Sequence, residues 1–153
     1  MKRILIAVAA LLASVAVSAG ELDGKGMACY KEDWPHPLMY EFRDGRAVLW
    51  RTYLEGTEII LKEHMNLIRD PQFAKYYESI GQISWKGIIV VDEGTARLDR
   101  KTLELTFETR HGEMESHGIC EVYQSLDKFQ AFMETQRMQG QREIDEQMKD
   151  NKI

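Results

Sequence analysis

Residues 38–55 read LMYEFRDGRAVLWRTYLE, two β-favouring runs on either side of Asp44-Gly45. An Asp-Gly pair tolerates the positive φ angles of a tight two-residue turn, so the stretch predicts strands over 38–43 and 46–55 that fold back on each other. Alternation places Val48, Trp50 and Leu54 on one face of the second strand.

The same reading extends downstream. Ile59, Leu61, Met65 and Leu67 recur at a spacing of two and predict a long half-buried strand. Asp70-Pro71 changes the signal, because Asp caps helices and Pro has no amide to lose at the first helical position. A short helix is expected over 71–79, ended by Gly81, with Phe73, Tyr76, Tyr77 and Ile80 covering one end of the sheet or lining a ligand site. Ile83, Trp85, Ile89 and Val91 alternate through another strand, with Gly87 as a bulge or bend and Asp92-Glu93-Gly94 as its turn. Residues 95–98 and 102–109 form a further hairpin, in which the Asp99 carboxylate can hold amides two or three positions on. In the strand over 114–123, Met114, Cys120 and Val122 take the buried parity, and Glu113, Glu115, His117 and Glu121 the solvent parity. With 27–32 this gives seven or eight strands. The fold class is mainly β: an antiparallel meander wrapped into a small closed or partly open barrel, with a two-layer sandwich as the alternative.

The amino-terminal end has a different character. Lys2 and Arg3 precede an apolar run over 4–17, and Val17-Ser18-Ala19 has the small residues of a cleavage site. Residues 1–19 read as a secretory signal peptide; the run is about 14 residues where a membrane span needs about 20. Loss of Lys2 and Arg3 moves the formal charge from −5 to −7. An acidic chain with 29% charged residues excludes a basic nucleic-acid binder, and no stable membrane insertion is expected after cleavage. The expected location is the periplasm or the exterior. There, Cys29 and Cys120, the only two cysteines, are expected to pair, closing a loop of about 90 residues and stabilising the fold by on the order of 4 to 5 kcal/mol. A redox-active or nucleophilic cysteine is the alternative, with His117 three residues from Cys120.

One β-rich domain is expected over 20–133. Ser125 can cap a helix whose stripe of Leu126, Phe129, Phe132 and Met133 docks on the sheet. Residues 134–153 read as a polar tail, either a solvated helix weakened by Gly140 or a disordered segment; Met138, Ile144 and Met148 offer a thin stripe for a partner chain.

Motifs for chemistry are missing. The chain has no Gly-x-Ser-x-Gly elbow, Gly-rich phosphate loop, His-Glu-x-x-His helix or dinucleotide fingerprint, so no cofactor is expected and a binding role is favoured over an enzymatic one; the enzymatic alternative is a hydrolase in which His111 or His117 meets a nucleophile or metal in a cleft. Two constellations stand out. His111, Glu115 and His117 can approach a zinc or copper ion if they share a strand face, or they belong to an ordinary acidic strand. In Asp33-Trp34-Pro35-His36-Pro37, two prolines stiffen a loop in which Trp34 and His36 form a recognition tip, or Trp34 plugs the barrel end and His36 stays wet. Trp50 and Trp85 follow strand alternation into the core; if the interior is incompletely filled, they line a cavity with Tyr53 and Phe107.

The succession Cys29-Tyr30, Ile83-Ser84-Trp85, Leu98-Asp99-Arg100, Thr102-Leu103, Leu105 and Cys120 resembles small exported bacterial proteins of unknown function, over the middle two-thirds of the mature chain. The resemblance implies a β-rich exported domain and no particular activity. A fainter likeness, through Tyr77-x-x-x-Gly81 and Trp85-Lys86-Gly87, is to the periplasmic lysozyme inhibitors, also small disulfide-linked barrels; their Ser-Gly-x-x-Tyr loop is missing here. The expected function is therefore an exported, non-enzymatic binding protein acting on a protein or other component of the cell envelope. The alternatives are a carrier of a small apolar ligand in a barrel cavity, and an inhibitor of a periplasmic enzyme.

Overall fold

At the Asp44-Gly45 turn the φ angles are 52° and 69°. The turn joins β2 (Leu38–Arg43) to β3 (Arg46–Glu55) in a register running from Arg43↔Arg46 to Met39↔Trp50. Asp23 fixes it from outside, accepting the Gly45 amide at 3.1 Å. The computed structural model describes residues 20–64, 74–89 and 92–150, so the leader expected at 1–19 and the alternation expected at Met65, Leu67 and Val91 lie outside the described residues.

The remaining strands are β1 (Lys25–Tyr30), β4 (Glu58–Glu63), β5 (Tyr76–Glu78), β6 (Gln82–Ile89), β7 (Asp92–Asp99), β8 (Glu104–Thr109) and β9 (Met114–Tyr123), followed by helix α1 (Leu126–Asp150). One antiparallel sheet holds all nine in the order β4-β3-β2-β1-β9-β8-β7-β6-β5. It is a meander apart from β1, which sits between β2 and β9. The sheet curls into a partly open barrel: the Ala47 amide donates to Ala74 at 2.8 Å and the Tyr76 amide to Gly45 at 3.0 Å, bringing β5 against the start of β3. The outer half of β3 runs on with β4 beyond the start of β2, and α1 packs along this arm.

Two expectations are corrected here. Within the short helix expected over 71–79, residues 76–78 form strand β5, in register with Trp85, Ser84 and Ile83; Phe73 lies outside the described residues. The period is two, with Tyr76 buried and donating its hydroxyl to Asp23 at 2.9 Å, and Tyr77 59% exposed. Pairing on both sides of the segment overrides the local capping signal. The turn expected at 92–94 is also strand, because β6 and β7 pair without a shift from Ile89↔Asp92 through Gly87↔Gly94. Gly94 serves packing: a Cβ there would lie 2.2 Å from the Glu108 carbonyl oxygen and 2.7 Å from the Phe107 ring. The Asp99 turn forms as expected, its carboxylate accepting the amides of Lys101 at 2.8 Å and Thr102 at 2.7 Å.

Inward-facing residues fill the barrel. Met27, Phe42, Trp85, Leu98 and Leu105 are all under 2% exposed, and Trp85 meets Tyr40 and Phe42 edge to face at 5.1 and 5.6 Å. A buried aromatic or Leu side chain contributes about 1.5–3 kcal/mol each. Cys29 and Cys120 stand directly opposite on β1 and β9 and form the disulfide, inside this core.

Helix α1 covers the outer face. Phe129 lies flat over Gly26 on β1, where a Cβ would sit 1.9 Å from its ring, and Met39 and Met133 complete the layer with Trp50, Leu61, Tyr123 and Phe132. Beyond Glu134 the helix continues, and its polar side chains meet the edge of the sheet. The Ile59 amide donates to Gln141 Oε1 at 2.7 Å, Arg137 donates to the Ile59 carbonyl at 3.3 Å, and Gln141 Nε2 donates to the Thr57 carbonyl at 2.9 Å. An open strand edge invites pairing with other chains, and here the helix occupies it. Gly140 rests on Ile59, 3.6 Å from where a Cβ would stand, which is ordinary contact. Gly140→Ala is therefore expected to raise stability by about 1 kcal/mol, read as a higher melting temperature; a lower one would show that the helix needs closer approach than this.

Candidate functional site

At the end of the sheet where β1 leaves and β2 returns, the chain leaves a cleft. The connecting segment 31–37 carries Pro35 and Pro37, whose fixed φ angles stiffen it, and the Trp34 amide donates to the Lys31 carbonyl at 3.0 Å. Trp34 is half-buried against the barrel core and meets His117 edge to face at 5.2 Å. Between this loop and β3 lies a cleft of about 360 Å³, lined by residues 34–37, Leu38, Met39, Arg51 and Thr52. Its walls are mostly apolar and none of its lining residues is acidic.

Arg51 is the unusual member. Along β3 the inward positions are Ala47, Leu49 and then Arg51, so a guanidinium stands where alternation calls for an apolar side chain. Its Nε is buried with no hydrogen-bond partner, and among the described residues it forms no ion pair. The charge is felt nearby. Burial pushes the Tyr40 hydroxyl well above its ordinary range and Arg51 opposes that shift, while burial and then Arg51 lower His64.

Of the residues singled out from sequence, Trp34 and His36 come together in the cleft. The others go elsewhere. Trp85 belongs to the barrel interior, and Tyr53 turns to His64, its hydroxyl 2.6 Å from Nδ1. Trp50 faces outward under α1 and donates its indole N–H to Glu41 at 2.8 Å. Glu41, 5% exposed, is held there by Trp50 and by Arg43 at 3.4 Å, and Arg43 in turn pairs with Glu63. Sequence reasoning passed over both Arg51 and Glu41. Arg51 had a signal, a charge on the inward parity of a strand; Glu41 had none, since it stands on the outward parity and its burial goes with the side chains that close over it, Trp50 and Arg43.

His117 is corrected from the solvent face to the interior, where it is 3% exposed, and Met114, expected inside, is 56% exposed. A bulge inverts the parity: Glu104 pairs with Ile119 and Thr106 with Ser116, so two steps on β8 match three on β9. Gly118 makes the bulge possible, with φ of 92° and no room for a Cβ, which would stand 1.8 Å from the Tyr30 carbonyl oxygen. His117 then lies between Trp34 and Phe107, both ring nitrogens buried without a hydrogen bond, with Glu115 Oε2 3.7 Å from Nε2. His111 stays at the exposed β8–β9 turn, accepting from Arg110 at 3.2 Å. Among the described residues no group of three His, Cys, Asp or Glu side chains gathers to hold a metal ion.

Burial, then the Lys31 charge, hold His117 below the ordinary imidazole range, with Glu115 opposing. The unfolded chain consequently takes up a proton near pH 6.5 that the folded chain refuses, so stability is highest above that value and falls as pH drops toward the lowered folded value. His117→Phe keeps the aromatic contacts and removes the titration. Its melting temperature is expected to fall less between pH 7.5 and 5.5 than that of the natural chain, and equal slopes would assign the acid sensitivity elsewhere.

Comparison with protein-family models, with curated proteins and with solved structures returned no match.

Proposed function

We propose that this chain is an exported, non-enzymatic binding protein that holds a protein partner of the cell envelope in the cleft beside Trp34. The observation that carries the reading is the contrast between a barrel interior occupied by Trp85, Phe42, Leu98 and Leu105 and an open cleft of about 360 Å³ next to it. A carrier of the barrel-cavity type needs empty space among those side chains. Two proline rings and the disulfide at the end of β1 hold the loop in one shape before a partner arrives, which lowers the ordering cost of binding. Export is supported by the cysteine pair and by the leader-like pattern of residues 1–19.

Capture from a cell-envelope extract with oxidised, tagged protein tests the reading. A partner retained by the natural chain and by Met148→Ala, and lost by Trp34→Ala, is the expected result. Loss with Met148→Ala and retention with Trp34→Ala would move the contact to the exposed methionines of α1. If an uncharged apolar dye instead raises the melting temperature of the natural chain and of Trp34→Ala alike, the carrier reading replaces this one.

A further inference from the structure

We infer that the cleft is a carboxylate site, in which Arg51 receives the free carboxy-terminal end of a partner polypeptide and the apolar walls receive its last side chain. This rests on the binding reading above and gives it a chemistry. The chain carries 25 acidic residues against 20 Lys and Arg, yet the cleft is lined without a single one of them. Arg51 is half-buried in the cleft wall, a guanidinium held there without an acid partner is costly, and the acceptor best matched to its planar fork is a carboxylate. Among the described residues the half-buried Arg43, Arg97, Arg100 and Arg137 each pair with an acid and the half-buried Arg51 does not, while Arg46, Arg110 and Arg142, also without one, are exposed to water.

The body attached to that carboxylate is set by the walls. Trp34, Pro35 and Pro37 present apolar surface, and the buried Leu38 and Met39 close the base. About 360 Å³ is near the lower end of the range of about 300–1,000 Å³ for small-ligand sites, room for one or two amino-acid residues. A long acyl chain exceeds that volume, and the barrel interior, filled by Phe42, Trp85 and Leu105, has no room for it. A short apolar group bearing a carboxylate fits; a polypeptide terminus provides one on a chain that can go on to contact the surrounding surface.

The test is calorimetric titration of the intact, oxidised protein with acetyl-Gly-Ala-Ala-Leu as the free acid and as the carboxy-terminal amide. Binding of the acid at least about tenfold tighter than the amide is expected, with Arg51→Gln binding the acid only as well as the natural chain binds the amide. Equal affinity for acid and amide, no binding of either, or an Arg51→Gln variant with undiminished preference overturns the proposal. Should Arg51→Gln fail to fold, the acid-against-amide comparison on the natural chain decides alone. N-acetyl-leucine and dodecanoate serve as competitors, and either binding as tightly as the tetrapeptide acid overturns the polypeptide source in favour of a free small carboxylate. A captured partner that is lost with Trp34→Ala but indifferent to Arg51→Gln defeats this inference alone, whereas capture indifferent to Trp34→Ala defeats the binding reading beneath it.

Discussion

Replacing Cys29 and Cys120 together by alanine is expected to lower stability by about 2–4 kcal/mol, with a fall in melting temperature on the order of 10 °C. The two cysteines lie 91 positions apart, a loop for which lost chain entropy sets a ceiling of about 4.5 kcal/mol. Part of that ceiling is not realised, because the unfolded chain retains some structure of its own. Both cysteines also lie in the core, where alanine leaves unfilled volume. Thermal unfolding with and without reductant checks the expectation. Reductant should lower the transition of the natural chain and leave the double variant unmoved. A natural chain whose melting curve ignores reductant would remove the role assigned to the pair.

Gly118→Ala is expected to cost about 3 kcal/mol or more, an unusual loss for the addition of one methyl group. Two effects combine. At φ of 92° an L side chain is strained, and the Cβ would stand 1.8 Å from the Tyr30 carbonyl oxygen, which is backbone and cannot swing away. Gly112 separates the two, since its φ of 81° is comparable and nothing lies within 4 Å of its Cβ position. Gly112→Ala should therefore lose only about 1 kcal/mol. Matched losses for the two variants, measured by denaturant unfolding, would show that the bulge can open to admit a side chain.

The difference between these glycines also explains what could be read from the residues. Asp44-Gly45 and Asp99 announce their turns because the chemistry that makes the turn is in the turn itself. The stripe of Phe129 and Met133 announces a docked helix for the same reason, and Cys29 found Cys120 because there was no other thiol. Tyr76 to Glu78 misled, since Asp70-Pro71 speaks only for its own neighbourhood, whereas the segment pairs on one side with β6, the next strand, and on the other meets Gly45 and Ala47, some thirty positions earlier. His117 misled more deeply. One extra residue in β9 exchanges the faces of everything before it, and what demands a glycine there is the Tyr30 carbonyl, nearly ninety positions earlier. As for the cleft, the proline-braced Trp34 was visible as a candidate, while Arg51 lay in an ordinary-looking strand and becomes informative only when its parity is counted against Ala47 and Leu49.

The place of β1 in the sheet bears on the order of events during biogenesis. A polypeptide made from its amino end presents this strand first, and β2 can zip onto one side at once, but its other neighbour, β9, is the last strand to emerge. Until then one ribbon of backbone amides stays unclaimed and the Cys29 thiol has no legitimate mate. Maturation of the whole molecule is thereby made to wait for the far end of the chain, and an oxidant that acts early finds nothing within the same chain to join.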